Sequence, residues 1–220
     1  MGKRMLDLFC CAGGAAMGYS RAGFEVVGVD HRPQKRYPFE FIQADALEFL
    51  CFHGHEFDAI HASPPCQGYS VIRNMPHTAA HRGEVPKLIA HVRDLVAVST
   101  RPFVIENVVG ARDDMDQPIL LCGLMFGLKM FRHRLFESNV GLVAPGHPSH
   151  RGLMVGSDGM VCMCGHGDSG RGRIPCSHRS VASWKTASGI DWMTRDEMAQ
   201  AIPPAYTEYV GRQIMQSLGG

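Results

Sequence analysis

The chain has 220 residues, 45% of them hydrophobic, which suits one α/β domain with a modest insertion. No apolar run is long enough to span a bilayer, and the opening MGKRMLDLFCCAGG is too rich in glycine for a signal peptide, so a cytoplasmic protein off the membrane is expected. A net charge of +1 excludes a uniformly basic or acidic surface, yet residues 129–185 carry eight Lys/Arg against three acids, a local +5 suited to phosphate.

In chain order, Arg4–Phe9 reads as a strand, Cys10–Gly14 as a turn and Ala15–Ala22 as a helix. Glu25–Asp30 and Phe39–Asp45 read as strands that each end in an acid. A fourth strand, Phe57–Ala62, runs straight into SPPCQ. Residues 86–99 place Leu88, Ile89, Val92, Leu95 and Val96 at helical spacing. Pro102–Asn107 is a fifth strand and Arg132–Ser138 a further one. Residues 139–190 lose periodicity and read as a loop-rich insertion. Thr194 and Glu197 form a capping box, and Pro203–Pro204 opens a last helix with Tyr206, Val210, Ile214 and Leu218 on one stripe. Strands alternating with helices predict a doubly wound, mostly parallel sheet.

In such sheets ligands bind at the carboxyl ends of the strands. Gly13–Gly14, Asp30, Asp45, Cys66 and Glu106 all fall at such ends. A strand, a glycine turn, a helix and an acid ending the next strand suit a nucleoside-bearing ligand. Asp30 would accept from ribose hydroxyls, and Asp45 would face an adenine amino group. The loop lacks the G-x-G-x-x-G of dinucleotide sites, so a smaller adenosine derivative fits better. Two prolines stiffen the backbone before Cys66. A thiol so held, an acid at Glu106 and the cations Arg132 and Arg134 together describe methyl transfer to an electron-poor heterocycle.

With these residues assembled, the sequence resembles the DNA (cytosine-5)-methyltransferase family over most of the chain outside 139–190. The resemblance is carried by D-L-F-x-x-x-G-G at Asp7–Gly14, P-C-Q at Pro65–Gln67 with Ser70, E-N-V at Glu106–Val108 and R-x-R at Arg132 and Arg134. All four stand in the family's order. The resemblance implies S-adenosylmethionine as methyl donor, with S-adenosylhomocysteine as product. It puts cofactor contacts on Phe9, Ala12, Gly13, Gly14, Asp30, His31, Asp45, Ala46, Pro65, Gln200, Ala201 and Ile202. It makes Cys66 the nucleophile toward carbon-6 of cytosine and Glu106 the acid at ring nitrogen-3. Arg134, helped by Arg132, would hold the carbonyl oxygen. Substrate contacts fall on Pro65, Gln67, Ser70 and Asn107, with Arg171 and Arg173 in a DNA-touching loop. The partner implied is double-stranded DNA bound by a monomer, with the base flipped out. RNA methylation and a catalytically silent binder are the alternatives.

The resemblance divides the chain into a catalytic, cofactor-binding part (1–138), a short target-recognition insertion (139–190) and a returning segment (191–220). Two departures stand out. Cys11 replaces a usual glycine, where the side chain would narrow the loop unless the backbone needs no positive φ. Ala199-Gln200-Ala201-Ile202 occupies the place where the family has G-N-x-V. The eight cysteines are expected as reduced thiols. The set Cys162, Cys164, His166, Cys176 and His178 lacks usual zinc spacing, so no metal centre is expected.

Overall fold

A computed structural model describes residues 2–69, 87–153, 160–163 and 180–219. The strands are β1 (Lys3–Leu8), β2 (Phe24–Asp30), β3 (Glu40–Gln43), β4 (Ala59–Ala62), β5 (Phe103–Asn107), β6 (Ile119–Leu121) and β7 (Arg134–Ser138). The helices are α1 (Gly14–Arg21), α2 (Ala46–His53), α3 (Ile89–Val98), α4 (Val181–Ser188), α5 (Arg195–Gln200) and α6 (Pro204–Ser217). The strands form one sheet in the order β3-β2-β1-β4-β5-β7-β6. The first five positions are parallel, and β7 runs antiparallel to both neighbours. The expected doubly wound, mostly parallel sheet is therefore present.

Strands covered on both faces bury both sets of side chains, which is why β1, after the half-buried Lys3 and Arg4, runs Met5-Leu6-Asp7-Leu8, fully buried and apolar apart from Asp7. Leu6 and Leu8 face one core with Leu50 of α2 and Ile89, Val92 and Val96 of α3. Met5 faces the other with Tyr19 of α1 and Tyr206, Val210 and Ile214 of α6. Helices α1 and α6 meet backbone to backbone: a Cβ on Gly18 would collide with the Pro204 carbonyl and the Thr207 hydroxyl. Thr207 Oγ1 also donates to Ala15 O at 2.9 Å. A third cluster joins Ala12 to Met163, Trp184, Ile190, Met193 and Met198. It packs residues from both sides of position 190 against the β1–α1 turn, and Trp192 Nε1 donates to Ala12 O at 2.8 Å.

Several expectations change. Asp45 does not end a strand; it is the N-cap of α2, accepting from Leu47 N at 2.9 Å and Glu48 N at 3.0 Å. The D-x-x-E spacing of Asp45 and Glu48 signals that cap in the sequence. Strand β6 and helix α4 were not expected; β6 is three residues long, and α4 lies inside the segment read as loop. Arg132 precedes β7 instead of belonging to it. Cys10, Cys11, Cys51, Cys66 and Cys122 are free thiols, but Cys162 is disulfide-bonded, against the all-reduced expectation. That expectation rested on chain length and the lack of an export signal, which do not decide which sulfurs the fold brings within bonding reach. No described helix is long and apolar enough to cross a membrane.

Candidate active site

Sheet register sets the site. Leu8 pairs with Val29 and Ala62, and Ala62 pairs with Ile105. The next residues along, Phe9, Asp30, Ser63 and Glu106, therefore emerge together at one edge. The turn after β1 is tightly wound, with positive φ at Phe9 (57°), Cys11 (45°) and Gly13 (81°). Cys11 thus adopts the left-handed conformation despite its Cβ, and the alternative that this backbone needs no positive φ is set aside. The buried Asp30 carboxylate holds the turn: it accepts from Cys11 N at 3.1 Å and from Arg32 N at 2.9 Å. Gly14 opens α1 against the returning segment, where a Cβ would meet Ile202 O at 2.5 Å and Ala201 Cβ at 3.2 Å. Ala12, Gly13, Gly14, Ala201 and Ile202 are thereby brought together. His31 is exposed beside Asp30, with Nδ1 3.3 Å from Oδ1. Ala46 is buried behind the Asp45 cap, and Gln200 is exposed at the end of α5.

The proline collar does what its stiffness suggests. Ser63 N donates to Leu8 O at 3.2 Å, Pro65 is extended (φ −49°, ψ 123°), and Cys66 opens a single 3₁₀ turn to Gly68. Asn107 braces the collar from β5: its Nδ2 donates to Pro64 O at 3.0 Å. Asn107 is 2% exposed and acts on the loop rather than outward. Cys66 is left half-buried and Gln67 exposed.

Glu106 and Arg134 face each other across β5 and β7. Arg134 Nε lies 3.1 Å from Glu106 Oε1, an oxygen with no hydrogen-bond partner among the described residues. Burial pushes the Glu106 carboxyl above the ordinary range, while Arg134, the Ser63 hydroxyl and Arg132 pull it down. Burial also raises the Cys66 thiol, the Glu106 charge raises it further, and Arg134 and Arg132 oppose them. Both cations act on this thiol, but desolvation outweighs them. Neutralising Glu106 would remove one of the two terms that hold the proton on sulfur.

A chain of buried groups leads to Glu106. His61 on β4 is fully buried, with Nδ1 2.9 Å from Tyr19 OH and Nε2 2.8 Å from Ser63 Oγ. Burial drives its pKa down to about 3, so the ring is neutral. A neutral imidazole has one donor and one acceptor nitrogen. For Ser63 to donate to Glu106, Nε2–H must donate to Ser63 and Nδ1 must accept from Tyr19. Sequence reading missed all three residues, although a histidine inside an otherwise apolar strand is a visible signal.

Arg132 is held elsewhere. Its guanidinium donates to Met163 O at 2.8 Å and Ala199 O at 2.7 Å, while Tyr206 OH donates to Arg132 O at 2.6 Å. Burial lowers its pKa to about 9, with Arg134 adding to the fall. It ties the backbone at Met163 to that at Ala199 beside Arg134. Asp7, absent from the expected site, is 1% exposed with Oδ1 unpartnered, and burial lifts its pKa to about 8. Ser70, Arg171 and Arg173 lie outside the described residues.

A family model described as C-5 cytosine-specific DNA methylase matches residues 3–121, more than half of the chain. Over 114 residues the chain is 29% identical to the type II methyltransferase M.FnuDI of Fusobacterium nucleatum. That match takes in 49% of this chain but only 33% of the relative, so the chain spans a third of that protein's length. Among solved structures, the S. pombe Dnmt2 methyltransferase is similar at a TM-score of 0.61 and 12% identity. The Entamoeba histolytica methyltransferase EhMeth is similar at 0.60 and 11%. Each of these two likenesses covers 99% of both chains, and at such identities it shows the fold alone.

Proposed function

Because the chain belongs to the C-5 cytosine-specific DNA methylase family, we propose that it methylates carbon-5 of cytosine in double-stranded DNA, using S-adenosylmethionine. The observation that carries this reading is the convergence of Cys66, Glu106 and Arg134, each perturbing the next, at the strand edge beside the Phe9–Gly14 turn. Cys11 in that turn feels the charges of both Cys66 and Glu106, so the cofactor loop borders the thiol. The residues present fit the donor: an open turn, a buried carboxylate at Asp30 with lone pairs left for ribose hydroxyls, and backbone at 201–202 closing one side. When bound, S-adenosylmethionine supplies an electrophilic methyl group and leaves as S-adenosylhomocysteine.

The residues then have defined work. A base stacked in a duplex offers no face to a thiol, so the cytosine leaves the helix at a cost of a few kcal/mol. Cys66 passes its proton to water, and the thiolate bonds carbon-6. The displaced π electrons reach carbon-5 and ring nitrogen-3, and nitrogen-3 takes the Glu106 proton. Arg134 donates to the carbonyl oxygen and balances charge there. After methylation the carbon-5 proton leaves to a base, the ring double bond re-forms and Cys66 is expelled. Arg132 and Asn107 position this machinery through Met163, Ala199 and Pro64.

The test uses duplex DNA containing 5-fluorocytosine, where fluorine cannot leave as a proton. With S-adenosylmethionine present, a covalent complex stable to denaturation is expected, and Cys66→Ser should not form one. Labelled methyl groups should enter duplex DNA in preference to transfer RNA. A chain that labels only RNA, or binds DNA without trapping, overturns the assignment.

A further inference from the structure

We propose that Cys122, His133, His147 and His150 form a structural zinc site that staples the start of the insertion to the edge of the catalytic sheet. One ligand atom from each of the four lies within 4.8 Å of the others. Zinc–nitrogen bonds of about 2.0–2.1 Å and zinc–sulfur bonds of about 2.3 Å put tetrahedral ligand atoms roughly 3.3–3.6 Å apart. Two of the separations lie at or just below that range: His133 Nε2 to His147 Nε2 is 3.2 Å, and Cys122 Sγ to His150 Nε2 is 3.3 Å.

Proton positions support a cation. His147 Nδ1 lies 2.8 Å from Pro148 O, and a carbonyl can only accept. Nδ1 therefore carries the proton, and Nε2 presents a lone pair to the centre of the cluster, the usual outer support of a histidine ligand. The three rings crowd together, with centroids 4.8–5.4 Å apart, and all four donor atoms converge on one volume. The donor set, one thiolate and three imidazoles, suits zinc, and four protein ligands leave no open position for chemistry.

The placement gives the site a purpose. Cys122 follows β6, and His133 sits between the two arginines just before β7. His147 and His150 lie beyond residue 139, in a stretch that forms no helix or strand among its described residues up to 153. That stretch is otherwise tied to α6 through Val143, which donates to Gln213 Oε1 and accepts from Tyr209 OH, both at 2.9 Å. Arg134 Nη1 donates to His133 O at 2.8 Å, so a metal at His133 also fixes the backbone that carries Arg134. Sequence reading weighed a metal only at Cys162–His178 and expected none there. Apart from Cys162 and Met163, that run lies outside the described residues.

The test is metal analysis of the purified full-length chain, followed by cobalt substitution. About one zinc per chain is expected, and the cobalt form should show the intense visible bands of a tetrahedral centre plus a thiolate charge-transfer band. His147→Ala, at an exposed position where the fold is retained by circular dichroism, should weaken zinc binding at least about tenfold. Cys122→Ser should remove the charge-transfer band, and a Cys164→Ser/Cys176→Ser double variant should leave both readouts unchanged. A chain that stays metal-free in micromolar zinc, an octahedral cobalt spectrum, or zinc binding unchanged in both His147→Ala and Cys122→Ser would overturn the proposal.

Discussion

Arg134 Nε stands 3.1 Å from the otherwise unpartnered Glu106 Oε1, joining an inner parallel strand to the antiparallel strand beside it. Because both side chains are nearly buried, the cation holds down a carboxyl that burial pushes up. In the proposed reaction the same guanidinium also meets the cytosine carbonyl oxygen. Arg134→Ala should lower the single-turnover methylation rate by about 10²–10³, the usual worth of one charge-stabilising donor. Cofactor affinity, measured by calorimetry, should change little.

Ser63→Ala tests the buried relay from Tyr19 through His61. The Ser63 hydroxyl favours the charged form of Glu106, so its loss raises the Glu106 pKa. The proton needed at ring nitrogen-3 is then retained to higher pH. The alkaline limb of the single-turnover pH–rate profile should move upward. A uniform loss of rate with an unmoved limb would mean that Ser63 only supports the loop.

Cys11 has a left-handed backbone, at φ 45°, without being glycine. That conformation costs a side-chain-bearing residue roughly 1–2 kcal/mol. Cys11→Gly relieves the strain and gives back a few tenths to 1 kcal/mol through the more flexible unfolded chain. A net gain of roughly 0.5–1 kcal/mol in urea unfolding is expected, with an unchanged m-value.

Asp7 makes stability depend on pH in a defined direction. Burial raises its pKa to about 8, with Asp30 adding to the rise and Tyr37 opposing it. In the unfolded chain the same group ionises near pH ~4. Between these values the native state binds the extra proton, so this group's contribution to stability falls as pH climbs from about 4 to about 8. Asp7→Asn has no proton to lose and can still accept from Tyr37 OH. The stability of the variant relative to the parent should therefore grow with pH across that window in urea titrations.

Much of the site is readable because it depends on short, contiguous runs. Asp7–Gly14, Pro65–Gln67 and Glu106–Val108 each combine a strand end with the residues that follow it, so local chemistry and position coincide. The sheet itself follows from apolar runs alternating with helical spacing. Asp45 was misplaced because an acid at a strand end and an acid capping a helix look alike until the D-x-x-E spacing is weighed. Arg132 was read as a helper of Arg134 from their alternation and the R-x-R motif. Its guanidinium instead reaches Met163 and Ala199, 31 and 67 residues away.

The amino-acid order alone determined the fold class, the order of the chemical groups and the thiol–acid–cation set, since each is encoded within a few neighbouring residues. Only the tertiary structure decided which distant groups meet. The Tyr19–His61–Ser63 chain, the Arg132 clamp and the Cys122–His133–His147–His150 cluster join residues from separate strands, helices and loops. Their contacts arise from sheet order and register, which place β4 beside β5 and β7 beside β6. Linear spacing carries no trace of such pairings, because the distance between two side chains across a sheet does not depend on how much chain connects them.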